Sequence, residues 1–444
     1  MPSPPTFGYH AAMRARLQAL QTRPYLVALL LAIVAQALFA FHLDRPSRIM
    51  FDEVHYVPAA NALLALEGPR NIEHPLVGKE LIGASIVLFG DNPYGWRAFT
   101  TLAGTATVVG AFAFLWLLFG SMRAALVGAA LTALNQSVFV QARTAMLDVF
   151  LGAFLLWAIV VMLWAMKGTP GQVRRRWLGA AVLLGLAVGT KWAAIPYVAL
   201  ACVAFVILRV RDARRAGKPF AAALSGKDQP HWPGLATIPG LLLLGLVSIL
   251  VYFATFLPAF FYERDPLTLA GLIPLQREMY ALQTQVLAKH TYQSDWWSWP
   301  LMLRPIWYFY EWDAGAQRGV LLIGNPVIMW GGLVAVLACL WAWLRDKAAR
   351  PLAPALLWIA SLAIYVVIPK SLGFYYYYHL SAIFLCLAAA AALHHFDRGR
   401  GKGREEWFVF ASLLMFGYFY PILAASALPD AQGFRHWMWF PGWQ

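Results

Sequence analysis

Apolar stretches of about 20 residues, each bounded by polar or charged positions, recur from Pro24 to the end of the chain. A helix of that length spans a hydrocarbon core of roughly 30 Å. About eleven spans are predicted: Pro24 to Leu43, Trp96 to Phe119, Ala124 to Val140, Ala145 to Met166, Trp177 to Trp192, Ala193 to Leu208, Gly234 to Phe256, Val320 to Leu344, Leu352 to Ile368, Phe374 to Leu393 and Trp407 to Leu428. At the division near Trp192, one long bent span is the alternative. Two intervals, 44–95 and 257–319, are too long for connectors. The first holds two short helix candidates, around Ala59 to Leu66 and Leu76 to Phe89. In the second, Leu272, Leu275, Met279, Leu282 and Val286 recur at three- and four-residue spacing with polar residues between, the pattern of a helix lying flat on the interface. The Trp and Tyr residues from Trp296 to Trp312 that follow have the composition of an aromatic belt. Arg209 to Gln229 reads as a loose linker.

Composition closes off a soluble reading, because 61% of the 444 residues are hydrophobic and 13% charged, against roughly 45–50% and 25% in soluble domains. The expected fold class is therefore an all-α integral membrane bundle. It forms one transmembrane domain over 1–428 that includes the outer loops, with an outer tail at 429–444 and no separate soluble domain. The first span, after Arg14, Arg16 and Arg23, is long for a secretory signal and lacks a small-residue cleavage site, so it reads as a retained anchor. Cys202, Cys339 and Cys386 all lie in apolar stretches and suggest neither a disulfide framework nor a thiolate metal site. The net charge of +14 comes from short basic runs between spans, which argues against nucleic-acid binding and marks topology instead. Most basic clusters fall on one face and the acidic, aromatic loops on the other. The amino terminus is then expected in the cytoplasm, with the long loops outside, as in a bacterial inner membrane.

The first outer loop opens with FDEVHY, which places Asp52, Glu53 and His55 just beyond the first span. Adjacent carboxylates on regular structure point in different directions, so one can act on a substrate while the other holds something else. The same loop continues with EHPLVGK, containing Glu73, His74 and Lys79. A Lys at the start of a short helix either holds a phosphate or snorkels to the interface. QARTAMLD puts Arg143 and Asp148 at a span end, where ionisable groups pair or line a wet cavity. Lys191 in GTKWA and Lys370 in IPKSLGFYYYYH are further cations at outer span ends. Cations on the face where the topology rule disfavours them imply an anionic ligand. Asp52, His55, Glu73 and His74 are also types that bind a divalent metal, but their spacing matches no metal motif and no cofactor is required.

With FDEVHY, EHPLVGK, QARTAMLD, GTKWA, YQSDWWSWPLMLRP, GNP at Gly324 to Pro326 and FYPILAASALP in this order across nearly the whole chain, the sequence resembles the dolichyl-phosphate-mannose protein O-mannosyltransferase family and its bacterial lipid-carrier-dependent relatives. The resemblance implies a GT-C fold and an active site on the outer face. It implies transfer of a sugar, mannose above all, from a polyprenyl phosphate to an acceptor hydroxyl, with protein Ser or Thr as the expected acceptor. It implies Asp52 as catalytic base, Glu53 and His55 near the acceptor, and Arg143, Lys79 and Lys370 on the donor phosphate. His74, Asp148, Lys191 and Tyr378 are the expected supporting residues. Two departures bear on the acceptor: no large lumenal repeat domain separates the seventh and eighth spans, and HPLVGK has Leu76 where the family has a second Pro. A lipid or glycan acceptor therefore stays open. A transporter is the competing class, since intramembrane charges also mark substrate pathways, but the candidate residues gather at span ends rather than near the midplane. A scaffold, the third class, would leave Asp52 free to vary.

Overall fold

The computed structural model describes residues 23–227, 229–368, 371–397 and 403–444. In chain order, α1 (Pro24–Ala40) leads into two short helices, α2 (Glu53–Leu64) and α3 (Val77–Phe89), followed by the long α4 (Pro93–Phe119). Next come α5 (Met122–Leu134) and α6 (Gln136–Ala142), then α7 (Leu147–Ala165), α8 (Pro170–Thr190) and α9 (Ile195–Arg215). After the short α10 (Phe220–Ser225), the chain forms α11 (Thr237–Ala254) and α12 (Leu272–Thr284), then a hairpin of β1 (Ile306–Asp313) and β2 (Ala316–Leu322). It finishes with α13 (Pro326–Asp346), α14 (Ala349–Val367), α15 (His379–Phe396) and α16 (Arg404–Phe419).

Local sequence explains the helix starts. Pro24, Pro93, Pro170 and Pro326 sit in the first turn, where a missing N–H leaves no bond unmade. The side chains of Asn92, Ser121, Asn135 and Asn325 accept hydrogen bonds from the first free backbone N–H groups of α4, α5, α6 and α13.

Among the described residues, seven helices are long and apolar enough to cross a membrane, or up to eight if the bent pair of α5 and α6, broken by 66°, counts as one span. Every predicted span overlaps a helix, but three fall short of that standard. α1 has 17 residues, α16 has 16, and α8 carries Arg174, Arg175 and Arg176 near its start. Lipid-facing character is plain on α11, which exposes Ile238, Leu242, Leu246, Ile249 and Leu250. By contrast, α15 is buried along almost its whole length, as a helix apolar on every side should be. Its run Ala388 to Ala392 and the facing Gly332 of α13 allow close packing; a Cβ at Gly332 would meet Leu385 at 2.5 Å.

Three expectations need correction. Val320 to Leu344 is not one span: the chain pairs as a strand to Leu322, and its helix begins at Pro326. The two-residue turn at Ala314 and Gly315 takes positive φ at both positions, 46° and 81°, the geometry that matches hairpin twist. The belt reading also fails in part, because Trp299 and Tyr308 are buried inside the protein, whereas Trp297 and Trp312 are exposed. Arg209 to Gln229 is not a loose linker through its described residues. Arg209 is fully buried and donates to Thr237 Oγ1 at 3.1 Å and to the carbonyls of His231 and Gly226. The carboxyl-terminal residues pack on the 257–319 loop: Trp443 is buried and its indole N–H donates to the Met302 carbonyl at 2.6 Å. Near Trp192 the chain does divide, with a single 3-10 turn, Trp192–Ala194, between α8 and α9.

Candidate active site

The loop helices α2 and α3 are set against the bundle by close approaches that only glycine permits. A Cβ at Gly78 of α3 would lie 2.4 Å from Leu147 and 3.5 Å from Thr190, so the EHPLVGK segment reaches the helix ends that carry Asp148 and Lys191. From the other side, α12 is tied to the same loop by Gln283, whose amide donates to the Glu73 carbonyl at 2.7 Å. Between these elements lies a cavity of about 650 Å³ lined by Asp52, His55, Glu73, His74, Asp148 and Lys191, with apolar and aromatic residues of α9, α14 and α15 completing its wall. Five of the six residues just named were site candidates on sequence grounds, drawn from four separate motifs.

Asp52 and Glu53 diverge as adjacent residues on regular structure must. Asp52 precedes the first turn of α2 and faces the cavity. The preceding Phe51 is held at φ 48°, a costly conformation for a bulky residue, and its ring stacks on Tyr308 at 4.1 Å with 8° between planes. Tyr308 is the residue skipped by the β1–β2 register between Trp307 and Phe309, and such a bulge re-aims a side chain. The hairpin thus buttresses the turn that presents Asp52. Burial pushes the Asp52 carboxyl up to about 6, against the pull of the neighbouring Lys191 and His55 charges.

Glu53 points into protein. Its two oxygens accept from Arg97 Nε and Nη2, both at 2.8 Å, and also from the backbone N–H groups of Ala145 and Met50. Arg97 in turn donates to the carbonyls of Leu43, Pro46 and Arg48. Both partners are fully buried. The acceptor-side place expected for Glu53 is therefore not where the side chain sits: it fixes the loop after α1 and the turn before α7. His55, exposed one helical turn beyond Asp52, does line the cavity.

Lys191 occupies the break after α8, and its ammonium lies 3.0 Å from each oxygen of Asp148, in the first turn of α7. The Tyr376 and Tyr377 rings flank the same ammonium at 5.1 and 5.2 Å. A 3-10 turn over Tyr375–Tyr378 brings these rings there, because its period of three puts residues i and i+3 on one side. Tyr375 and Tyr378 stack together away from the cavity, and Tyr378 accepts from Trp358 Nε1 at 2.8 Å. Tyr376 and His379 share the cavity side. The tyrosine singled out from the sequence was thus off the cavity face, and the string itself could not set the phase of a turn that is not α-helical.

The cations expected on the donor phosphate are not gathered as foreseen. Arg143 is buried outside the cavity, where it donates to the carbonyls of Phe39 and Phe41 at 2.6 Å each and His42 at 2.9 Å, closing the free end of α1. Lys79 donates to the carbonyls of Arg70, Asn71 and His74 and holds that turn, and burial lowers its ammonium to about 7. Lys370 lies outside the described residues. An Arg143→Ala variant should therefore lose about 2–4 kcal/mol of stability, since it removes three hydrogen bonds from a buried cation to the carbonyls that end α1, while its folded fraction binds polyprenyl phosphate as tightly as wild type. A selective loss of that binding would return Arg143 to the donor site. Among the described residues, no group of three or more His, Cys, Asp or Glu is arranged to hold a metal.

Comparison with known proteins places this geometry. The model for dolichyl-phosphate-mannose-protein mannosyltransferase matches residues 63–261, and that for the C-terminal four-span region of protein O-mannosyltransferase matches 268–443. Asp52 precedes both. A polyprenol-phosphate-mannose protein mannosyltransferase of Corynebacterium glutamicum is 24% identical over 89% of this chain and 88% of its own length. One of the same description from Mycobacterium tuberculosis is 28% identical over 68% and 67%. In structure, a chain of the S. cerevisiae protein O-mannosyltransferase complex bound to the sugar donor aligns over 97% of this chain and 94% of its own, with a TM-score of 0.78 at 15% identity. ArnT from Cupriavidus metallidurans bound to undecaprenyl phosphate aligns over 85% and 61%, with a TM-score of 0.55 at 17% identity. Both share the helical fold of lipid-carrier glycosyltransferases. The two family matches together span most of the sequence, and this integral membrane protein belongs to the dolichyl-phosphate-mannose-protein mannosyltransferase family of glycosyltransferases.

Proposed function

We propose that the protein transfers mannose from a polyprenyl phosphate to a Ser or Thr hydroxyl of a protein, with Asp52 as general base. The observation that carries this reading is a carboxylate and an ammonium, Asp52 and Lys191, facing one cavity that also has an apolar and aromatic wall. The departing polyprenyl phosphate is a stable anion and needs little protonation. Asp52 takes the proton of the acceptor hydroxyl as its oxygen forms a bond to the anomeric carbon. The bond from that carbon to the phosphate oxygen breaks, its electron pair stays on the phosphate, and Lys191 stabilises the charge that develops. Attack opposite the leaving phosphate inverts the anomeric centre. The basic runs on the other face support a cavity on the periplasmic side of a bacterial inner membrane, with the amino terminus in the cytoplasm.

Purified protein supplied with polyprenyl-phosphate [14C]mannose and a Ser/Thr peptide should yield labelled peptide and free polyprenyl phosphate in equal amounts. Label entering lipid or glycan instead of peptide would reassign the acceptor, and no release at all would end the reading. The pH profile carries a sign. Because the base must be ionised and burial raises its carboxyl to about 6, kcat/KM should be flat above that value and fall tenfold per unit below it. A fall centred near 4, the ordinary carboxylate range, would mean that the base is not this residue.

A further inference from the structure

His379 lines the cavity, is only 2% exposed, and neither ring nitrogen has a hydrogen-bond partner among the described residues. A neutral imidazole carries one N–H donor and one acceptor, and leaving both unmade in the interior is costly. Native structures do so rarely, and then for a reason such as a missing ligand. The ring is packed over Gly152, one turn along α7 from Asp148, where a Cβ would come within 2.9 Å of Nε2 and 3.1 Å of Cδ2. A bare glycine thus makes room for an imidazole that touches nothing polar.

Its position along the cavity identifies the ligand chemistry. Asp148 lies in the first turn of α7 and Gly152 one turn further along it, so His379, packed on Gly152, sits one helical turn deeper in the bundle than the Asp148–Lys191 pair, whereas Asp52 stands in the loop before α2. His379 is thus on the bundle side of the Asp148–Lys191 pair, the far side from the loop that carries the base. In an in-line transfer with the acceptor beside Asp52, that far side receives the leaving group. We infer that His379 donates a hydrogen bond to the phosphate of the polyprenyl carrier, a second contact beside Lys191 that orients the phosphate for departure. This assignment rests on the donor chemistry of the proposed function and adds a residue to it.

The test compares binding of polyprenyl phosphate and of polyprenol of equal chain length to the full-length protein in lipid nanodiscs. His379→Phe should weaken polyprenyl phosphate about tenfold or more, the worth of one hydrogen bond to a charged group, and leave polyprenol unchanged. His379→Gln, which keeps a donor, should recover most of the difference. Gly152→Ala, which displaces the ring without altering it, should reproduce the phosphate-selective loss. The inference is overturned if His379→Phe and Gly152→Ala bind polyprenyl phosphate as wild type does, or if they lose both ligands equally, as a packing role would require. Wild-type protein that binds polyprenyl phosphate but transfers no mannose would sink the functional reading and leave the His379 contact standing.

Discussion

Asp52→Asn should lower the rate of mannosyl transfer by about 10²–10⁴-fold, the contribution of a positioned general base, while leaving the protein better folded than wild type. Asn keeps the size of the side chain and removes its ability to take the acceptor proton. The gain in stability follows from linkage. Burial raises the Asp52 carboxyl from 3.8 to about 6, so its stabilising contribution is complete only below the lower value. It is lost as pH rises through the upper one, and at neutral pH the ionised carboxylate is a net cost. Discounted for its partial exposure, that cost is on the order of 1–2 kcal/mol. Transfer assays and thermal unfolding in the same detergent would measure both effects. Activity within tenfold of wild type would remove Asp52 from the mechanism, and a loss of activity accompanied by a loss of stability would point to a structural role instead.

Glu53→Ala, one residue along, should fail for a different reason. It leaves the fully buried Arg97 guanidinium without its carboxylate and strands the Ala145 and Met50 N–H groups, a defect of about 3–5 kcal/mol when one member of a buried pair is removed. The expected result is little folded protein at ordinary temperature. A double variant, Glu53→Gln with Arg97→Gln, removes both charges and should recover part of the loss, giving a coupling energy that a double-mutant cycle can read. Where folded protein survives, its KM for the acceptor peptide should match wild type. A stable Glu53→Ala protein with a raised acceptor KM would instead restore the acceptor-side role that the motif suggested.

The contrast between these neighbours shows how far the linear pattern reached. That Asp52 and Glu53 face opposite ways follows from backbone geometry and was legible beforehand. Which one meets the cavity was decided by Arg97, a residue 44 positions away. Arg143 shows the opposite failure. Its type and place at a span end fitted an anion site, yet the open carbonyls of α1 took up its donors first. The hairpin that supports Phe51 was hidden because its alternation of Trp, Tyr and Phe also suits a membrane interface. Its bulge at Tyr308 depends on pairing with β2, which no local period reveals.

Sequence alone determined that this chain lives in lipid, roughly where its apolar stretches lie, and which loops carry its ionisable groups. Each of these follows from local quantities: the length of apolar runs against bilayer thickness and the scarcity of charge within spans. Tertiary structure decided which of those charged groups share a cavity and which are consumed by backbone carbonyls, and it set the phase of the tyrosine string. Pairing between distant segments is a competition among many compatible partners, and only the packed bundle settles it.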